Sequence, residues 1–247
     1  MAASVFGSRL DLLVRLYDTT TGAPVDERNV LFTRNEEPVI PAPRGEGMYV
    51  FINTGREDFL MQITVYGYEK YSMQVTYGEL DDRIPSCDVF LIPSENVHRG
   101  ESVLSFSGTL PFLEAIEAVK LSRPICMVKE FDAKKNFLSV YGGTGGMIRL
   151  DSVWYALLGT DKTSYERIEV TGSSAAQYFK IKDKIAFENV TNLPVYRVIL
   201  GRASENGDYL LRVRDDGEDA LYLVRYLIKG EERFETVDFK DTERRLK

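Results

Sequence analysis

Short apolar and aromatic runs, each ended by Gly, Pro, Asn or Asp, recur along most of the chain. In residues 59–66, alternate positions share one face of the predicted strand: Phe59, Met61, Ile63 and Val65. This period of two is typical of half-buried strands, and closely spaced turn residues are typical of antiparallel sheets. The pattern predicts an all-β protein.

The first half predicts about seven strands, the number that a β-sandwich of this size requires. Pro38, Pro41 and Pro43 predict that their segment is a sheet edge or a loop, because each proline removes a donor from the ladder. We therefore interpret residues 1–95 as one sandwich domain.

The second half is also rich in predicted strands. Residues 96–108 are mostly polar, and we interpret them as a linker. Residues 109–247 predict a second antiparallel β-rich domain, either a sandwich or a barrel. Within it, the apolar spacing of residues 110–121 fits both a helix and a strand, so the sequence leaves that element open.

Turn signals predict hairpins near the end of the chain. Asn-Gly at 206–207 predicts a hairpin between 197–200 and 209–213, because this dipeptide is the strongest short-range hairpin signal. Further turns at 215–218 and 229–232 predict that paired strands continue beyond it.

Three motifs connect the first 95 residues to a known family. A strand ends in an Asp18-to-Pro24 turn, a Gly-x-Tyr strand begins at Gly47, and a strand ends in Gly67-Tyr68. In these motifs the region resembles the carboxypeptidase regulatory-like or transthyretin-like family of Ig-like β-sandwiches. The resemblance implies a non-catalytic module that props, spaces or docks other domains, without shared catalytic residues. The Pro-rich segment 36–43 departs from the compact family pattern.

Composition narrows the classes of partner. The chain of 247 residues is 44% hydrophobic and 11% aromatic, enough for a sizeable core, and its net charge of -7 argues against coating nucleic acid or anionic membrane. No window approaches the roughly 20 apolar residues needed to span a membrane. Without a visible export signal, we expect synthesis in the cytoplasm and residence there or in a virion or tail-like particle.

The sequence offers few candidate catalytic or metal-binding residues. His98 is the only histidine, which excludes multi-histidine metal sites. Cys87 and Cys126 are expected to be small apolar thiols, with one disulfide as the alternative. The glycine-rich segment 142–146 lacks the Lys-Ser/Thr of a phosphate-binding loop, and the acidic turn 215–219 lacks the ligand spacing of an EF-hand. We predict no catalytic residue, metal ligand or cofactor.

The remaining candidate residues are tyrosines and two glycines of the glycine-rich segment. Tyr66, Tyr68 and Tyr71 lie close together, and exposed tyrosines favour interfaces because they bury a large area at small entropic cost. Packing on a strand face is the alternative for each of them. With Gly143 and Gly145 of the glycine-rich segment, these tyrosines form our candidate protein interface.

Three functional hypotheses follow. The first is a non-enzymatic structural or adaptor protein of a large assembly, such as a phage virion, tail or baseplate or a contractile tail-like particle. Its partners would be other protein subunits, in a homo-oligomer or a hetero-complex. The second is a β-sandwich module that binds glycans or protein ligands. The third is a hydrolase that uses paired carboxylates, because the chain has 38 Asp and Glu residues.

Overall fold

The protein is seen in a computed structural model that describes residues 9–27, 29–94, 102–122, 124–142, 154–175, 177–182, 184–215, 217 and 219–241. These residues are mainly β-strands, which confirms the all-β prediction. Within the described ranges, no helix is long and apolar enough to cross a membrane. The chain divides into two compact units, the first from 1–18 and 24–98 and the second from 19–23 and 99–247.

The first unit is a sandwich of two four-stranded sheets. Its strands are β1 (Leu10–Asp18), β2 (Val30–Arg34), β3 (Glu37–Val39), β4 (Ala42–Gly45), β5 (Met48–Ile52), β6 (Phe59–Val65), β7 (Tyr71–Val75) and β8 (Ser86–Leu91). The sheets have the orders β4-β5-β1-β8 and β3-β2-β6-β7. Neighbouring strands are antiparallel, except that β1 and β8 are parallel. A short 3₁₀ turn, Tyr77–Glu79, follows β7.

One core joins the two sheets of the first unit. The predicted inward face of β6 is confirmed, because Phe59, Met61, Ile63 and Val65 are all buried. On the neighbouring strand, Phe32 packs across the sandwich: its ring centroid lies 5.0 Å from that of Tyr49 and 5.5 Å from that of Phe51. Burial of aromatic and aliphatic side chains from both sheets stabilises the sandwich.

The proline-rich segment lies at the edges of both sheets, as predicted. Pro38 is in β3 and Pro43 is in β4, and each of these strands is the outermost of its sheet. Because proline has no N–H, it is tolerated where a strand has no neighbour on one side. Ile40 and Pro41 carry the chain from one sheet to the other.

The second unit combines a closed barrel with two further sheets. Its strands are β9 (Ser102–Thr109), β10 (Leu113–Lys120), β11 (Cys126–Asp132), β12 (Phe137–Tyr141), β13 (Trp154–Leu158), β14 (Tyr165–Ala175), β15 (Tyr178–Ile181), β16 (Pro194–Arg197), β17 (Ile199–Leu200), β18 (Arg202–Ala203), β19 (Asp208–Asp215), β20 (Leu221–Ile228) and β21 (Glu231–Asp238). The barrel order is β11-β12-β15-β14-β13-β16, and the sheets are β17-β10-β20-β21 and β18-β19-β9. These two sheets share one core.

One element contradicts the interpretation of the sequence, and a second settles a question that the sequence left open. Residues 102–108, interpreted as linker, lie in β9, which pairs with β19 along its whole length. The ambiguous segment is strand β10, not a helix. Its pattern was unclear because β10 is buried on both faces: Ile116 and Ala118 are buried on one, Glu117 and Val119 on the other.

The late hairpins are confirmed only in part. Strand β20 joins β21 through Lys229-Gly230, with φ values of 52° and 75° that suit a two-residue hairpin turn. The 206–207 turn joins β18 to β19, whereas Ile199–Leu200 pairs with β10, so the predicted partner was wrong. The chain passes from β17 to β18, and so from one sheet to the other, at Gly201. A Cβ added to this residue would lie 2.6 Å from Ile116 Cγ2. Likewise, β19 and β20 lie in different sheets.

Candidate functional sites

The three tyrosines of the predicted interface have different environments. Tyr66 is 71% exposed in the loop after β6. Tyr68 is half-buried, and its hydroxyl donates to Asp18 Oδ2 at 2.9 Å. Tyr71 packs against the sandwich core, where burial raises its pKa. Of the three, Tyr66 offers the largest exposed fraction, while Tyr68 and Tyr71 serve the fold.

Of the other candidate residues from the sequence, three are not described by the structure and two are cysteines. Gly143, Gly145 and His98 lie outside the described residues. Cys87 and Cys126 are both unpaired, as expected, and burial raises the pKa of each thiol to about 12. Both thiols are therefore protonated at neutral pH, a state that is a poor nucleophile.

An apolar groove lies in the first unit, at the edge where the chain crosses between the sheets. It has a volume of about 610 Å³. Its lining comes from β2, β3, β4 and β5, together with the connections next to them: Asp26, Glu27, Val30, Leu31, Phe32, Thr33, Pro38, Val39, Ile40, Pro41, Pro43 and Tyr49. We call this surface the edge groove.

Two large aliphatic side chains of the edge groove are open to solvent. Ile40 is 99% exposed and Leu31 is 67% exposed, whereas Phe32 and Tyr49 of the same lining are buried. An isolated exposed aliphatic residue is ordinary on a protein surface, whereas two that border the same concave apolar surface form an exposed apolar patch. The edge groove is therefore a candidate contact surface.

Carboxylates border the edge groove. Asp26 and Glu27 line it, and both are exposed. Tyr49 holds this side of the groove, because its hydroxyl donates to the backbone oxygen of Glu27 at 2.9 Å. Burial raises the pKa of Tyr49, and the two carboxylates raise it further. The hydroxyl thus stays protonated and keeps its hydrogen bond at neutral pH.

A second concave site lies in the second unit, around the buried carboxylate of Glu117. Only 2% of the Glu117 side chain is exposed. Arg225 Nη1 donates to Glu117 Oε2 at 2.8 Å, and Arg167 Nη1 donates to Oε1. Arg225 also donates from Nε and Nη2 to Glu232 Oε1, at 3.1 and 2.6 Å. Two guanidinium groups thus compensate one buried charge, which would otherwise be very costly.

Next to this network is a cavity of about 600 Å³, which we call the charged cavity. Its described lining is mixed aromatic and charged: Trp154, Ser164, Tyr165, Glu166, Arg167, Glu169, Lys182, Ala186, Phe187, Arg225, Glu232 and Phe234. The Arg167 guanidinium lies 4.3 Å from the centroid of Trp154, a cation–π contact. Glu166 accepts hydrogen bonds from the backbone N–H groups of Ala186 and Phe187, which fixes one wall.

Sequence reasoning did not find either concave site, although signals for both were present. Glu117 and Arg225 are charges inside otherwise apolar strands, and a charge in such a strand requires a buried partner. Ile40 stands between prolines in a segment that was already predicted to be an edge. Its exposure could have been inferred from that position.

The described residues contain no group of three or more His, Cys, Asp or Glu side chains placed to hold a metal ion. In comparisons with known proteins, no family model matches the chain and no curated protein is significantly similar to it.

Proposed function

We propose that the chain is a non-enzymatic structural or adaptor subunit of a large protein assembly and that it docks through the edge groove. The observation that carries this proposal is the exposure of Ile40 and Leu31 beside a groove of about 610 Å³. Insertion of a partner's side chains would remove this apolar surface from water, which contributes roughly 25 cal/mol per Å². A neighbouring subunit is the occupant that fits this surface.

The edge strands favour insertion of side chains over addition of a strand. Pro38 and Pro43 interrupt the donors along β3 and β4, so a partner strand would lack part of its ladder there. Asp26 and Glu27 next to the groove favour a partner segment whose apolar residues are flanked by Lys or Arg. A docking loop or helix of another subunit satisfies both conditions.

For the kind of assembly, we propose a phage virion, tail or baseplate or a contractile tail-like particle. Both units are built from β-sheets, which suits a component that acts as a rigid spacer and docking element. The partners would be other protein subunits, as further copies of this chain or as different chains.

Membership of the first unit in the carboxypeptidase regulatory-like or transthyretin-like family also remains a proposal. Its support is that two of the motifs meet in space. Tyr68 of the Gly-Tyr motif donates to Asp18, where the Asp18-to-Pro24 turn begins. At the same turn, Tyr17 forms a bridge with Pro24. The motif residues therefore close this part of the sandwich, the role expected of turn chemistry.

The mass of the native particle tests the proposed assembly. We would isolate the untagged chain from its own source and measure the mass by light scattering and native mass spectrometry. A complex of fixed stoichiometry, well above the 28.1 kDa of one chain, is the expected result. A 28.1 kDa monomer without a bound partner would overturn the proposal.

A further inference from the structure

The charged cavity of the second unit has balanced charge. Its described lining contains three carboxylates, on Glu166, Glu169 and Glu232, and three cations, on Arg167, Lys182 and Arg225. Lys182 Nζ lies 2.9 Å from Glu169 Oε2, so part of this charge is already paired. Such a cavity offers a strongly anionic or cationic ligand little net attraction, and it disfavours a purely apolar ligand because the ions would be desolvated.

Its polar groups still have hydrogen-bonding capacity. Among the described residues, Arg167 donates one of its five N–H groups, to Glu117. Glu232 Oε1 accepts from Arg225, whereas Oε2 has no hydrogen-bond partner in the described part of the chain, and this side chain is 48% exposed. A ligand group that both donates and accepts could use both residues. Hydroxyl groups have this property, and carboxylates and ammonium groups do not.

Aromatic side chains complete the walls. Trp154, Phe187 and Phe234 line the cavity, and the ring of Phe234 packs edge-on against Tyr165 with centroids 5.2 Å apart. The hydroxyl of Tyr165 is buried in the wall and makes no hydrogen bond within the described residues. The walls therefore combine aromatic rings with a buried polar oxygen, a group that is usually hydrogen-bonded in folded proteins.

From this geometry we propose that the charged cavity binds a neutral polyhydroxylated ligand, that is, a sugar. Its hydroxyl groups would accept from Arg167 and donate to Glu232, while its C–H face would contact the aromatic walls. A volume of about 600 Å³ lies within the range of small-molecule sites. The proposal does not rest on the edge groove or on the assembly, because every residue involved belongs to the second unit.

The single tryptophan of the chain makes the test specific, because Trp154 lines the cavity and its emission reports from that site. We would titrate the full chain with glucose, galactose, mannose and N-acetylglucosamine. The same sugars at the ends of immobilised oligosaccharides distinguish a surface glycan from a free saccharide, and glucuronate serves as the anionic probe. Saturation-transfer NMR on the ligand protons provides a second measurement.

We expect at least one neutral sugar to bind, with a saturable change in emission or a saturation-transfer signal. Glu232→Ala should weaken binding at least tenfold, and Glu231→Ala, an exposed neighbour on β21 outside the cavity, should leave it within twofold. Binding by free or by glycan-terminal sugars equally supports the site. The proposal is overturned if no neutral sugar binds in either measurement, if only glucuronate binds, or if both variants weaken binding alike.

Discussion

The two units of this protein differ in where the buried charge lies relative to the concave surface. In the first unit, Asp11 is fully buried, and Thr54 N–H, Gly55 N–H and Arg9 Nε donate to its carboxylate. This charge fixes a turn of the sandwich and is not part of the lining of the edge groove, which is mostly apolar. In the second unit, the buried carboxylate of Glu117 belongs to an ion network that borders the charged cavity.

This difference indicates which kind of ligand each surface suits. An apolar groove with little buried charge gains from contact with another apolar surface, which a protein partner provides. A cavity bordered by paired ions and aromatic rings instead suits a small polar ligand that replaces lost hydration with hydrogen bonds. The two proposals therefore rest on different physical grounds, apolar contact at the edge groove and hydrogen bonding in the charged cavity.

The largest effect that we predict tests whether the Glu117 network stabilises the second unit. Glu117→Ala leaves Arg225 and Arg167 without their shared partner, and removing one member of a buried ion network costs about 3–5 kcal/mol. We expect a loss of this size in urea unfolding followed by Trp154 emission. Glu114→Ala, an exposed position on the same strand, should change stability by no more than about 0.5 kcal/mol. Equal effects of the two variants would contradict the network's role.

The next prediction concerns the buried carboxylate of the first unit and its pH dependence. Burial raises the pKa of Asp11, but hydrogen bonds from Arg9, Gly55 and Thr54 outweigh it and hold the pKa below its ordinary value of 3.8. The stabilisation is therefore fully present above pH 3.8 and is lost as the pH falls through the lower folded-state pKa.

Asp11→Asn tests whether the titration of Asp11 causes this loss of stability at low pH. The variant keeps an amide oxygen that accepts from the Thr54 and Gly55 N–H groups, but it cannot titrate. Thermal unfolding followed by circular dichroism between pH 7 and pH 2.5 should show a shallower loss of stability below pH 4 in the variant than in the wild type. Identical acid profiles of the two proteins would refute the assignment.

A smaller effect on stability should distinguish two of the tyrosines that were predicted to form an interface. Tyr68→Phe removes the hydrogen bond to Asp18 and should destabilise strand β1 by about 0.5–1.5 kcal/mol. Tyr66→Phe, the matched change at an exposed position, should have no measurable effect on β1. Native-state amide hydrogen exchange in β1 measures both. Faster exchange in the Tyr66 variant alone would reverse the two roles.

The features that sequence predicted well were local ones. The alternation in β6 and the prolines at the sheet edges each follow from a few consecutive residues, because side-chain period and missing N–H groups act locally. The hairpin at Lys229-Gly230 is local in the same sense. Such signals gave the fold class and most strands of the first unit.

The features that sequence missed depend on distant residues. Glu117 meets Arg167 and Arg225 across separations of 50 and 108 residues, and no short pattern contains that information. Similarly, β17 pairs with β10 instead of the nearer strand β19 because the chain changes sheets at Gly201. The charged cavity depends on such long-range contacts, because its lining runs from Trp154 to Phe234. The edge groove is formed by residues between 26 and 49, but its concave shape depends on how two sheets meet, which the strand pattern alone does not give.

The most direct test of the central proposal places a charge in the edge groove. Ile40→Glu should hardly change stability, because this side chain is 99% exposed, yet it would bury a carboxylate at the docked interface. Ile84→Glu, at an isoleucine that is 55% exposed and outside the groove lining, is the matched control. The measurement is the amount of each variant recovered in the native particle. We expect at least a tenfold loss for Ile40→Glu and wild-type recovery for Ile84→Glu, and wild-type recovery of Ile40→Glu would contradict docking through the edge groove.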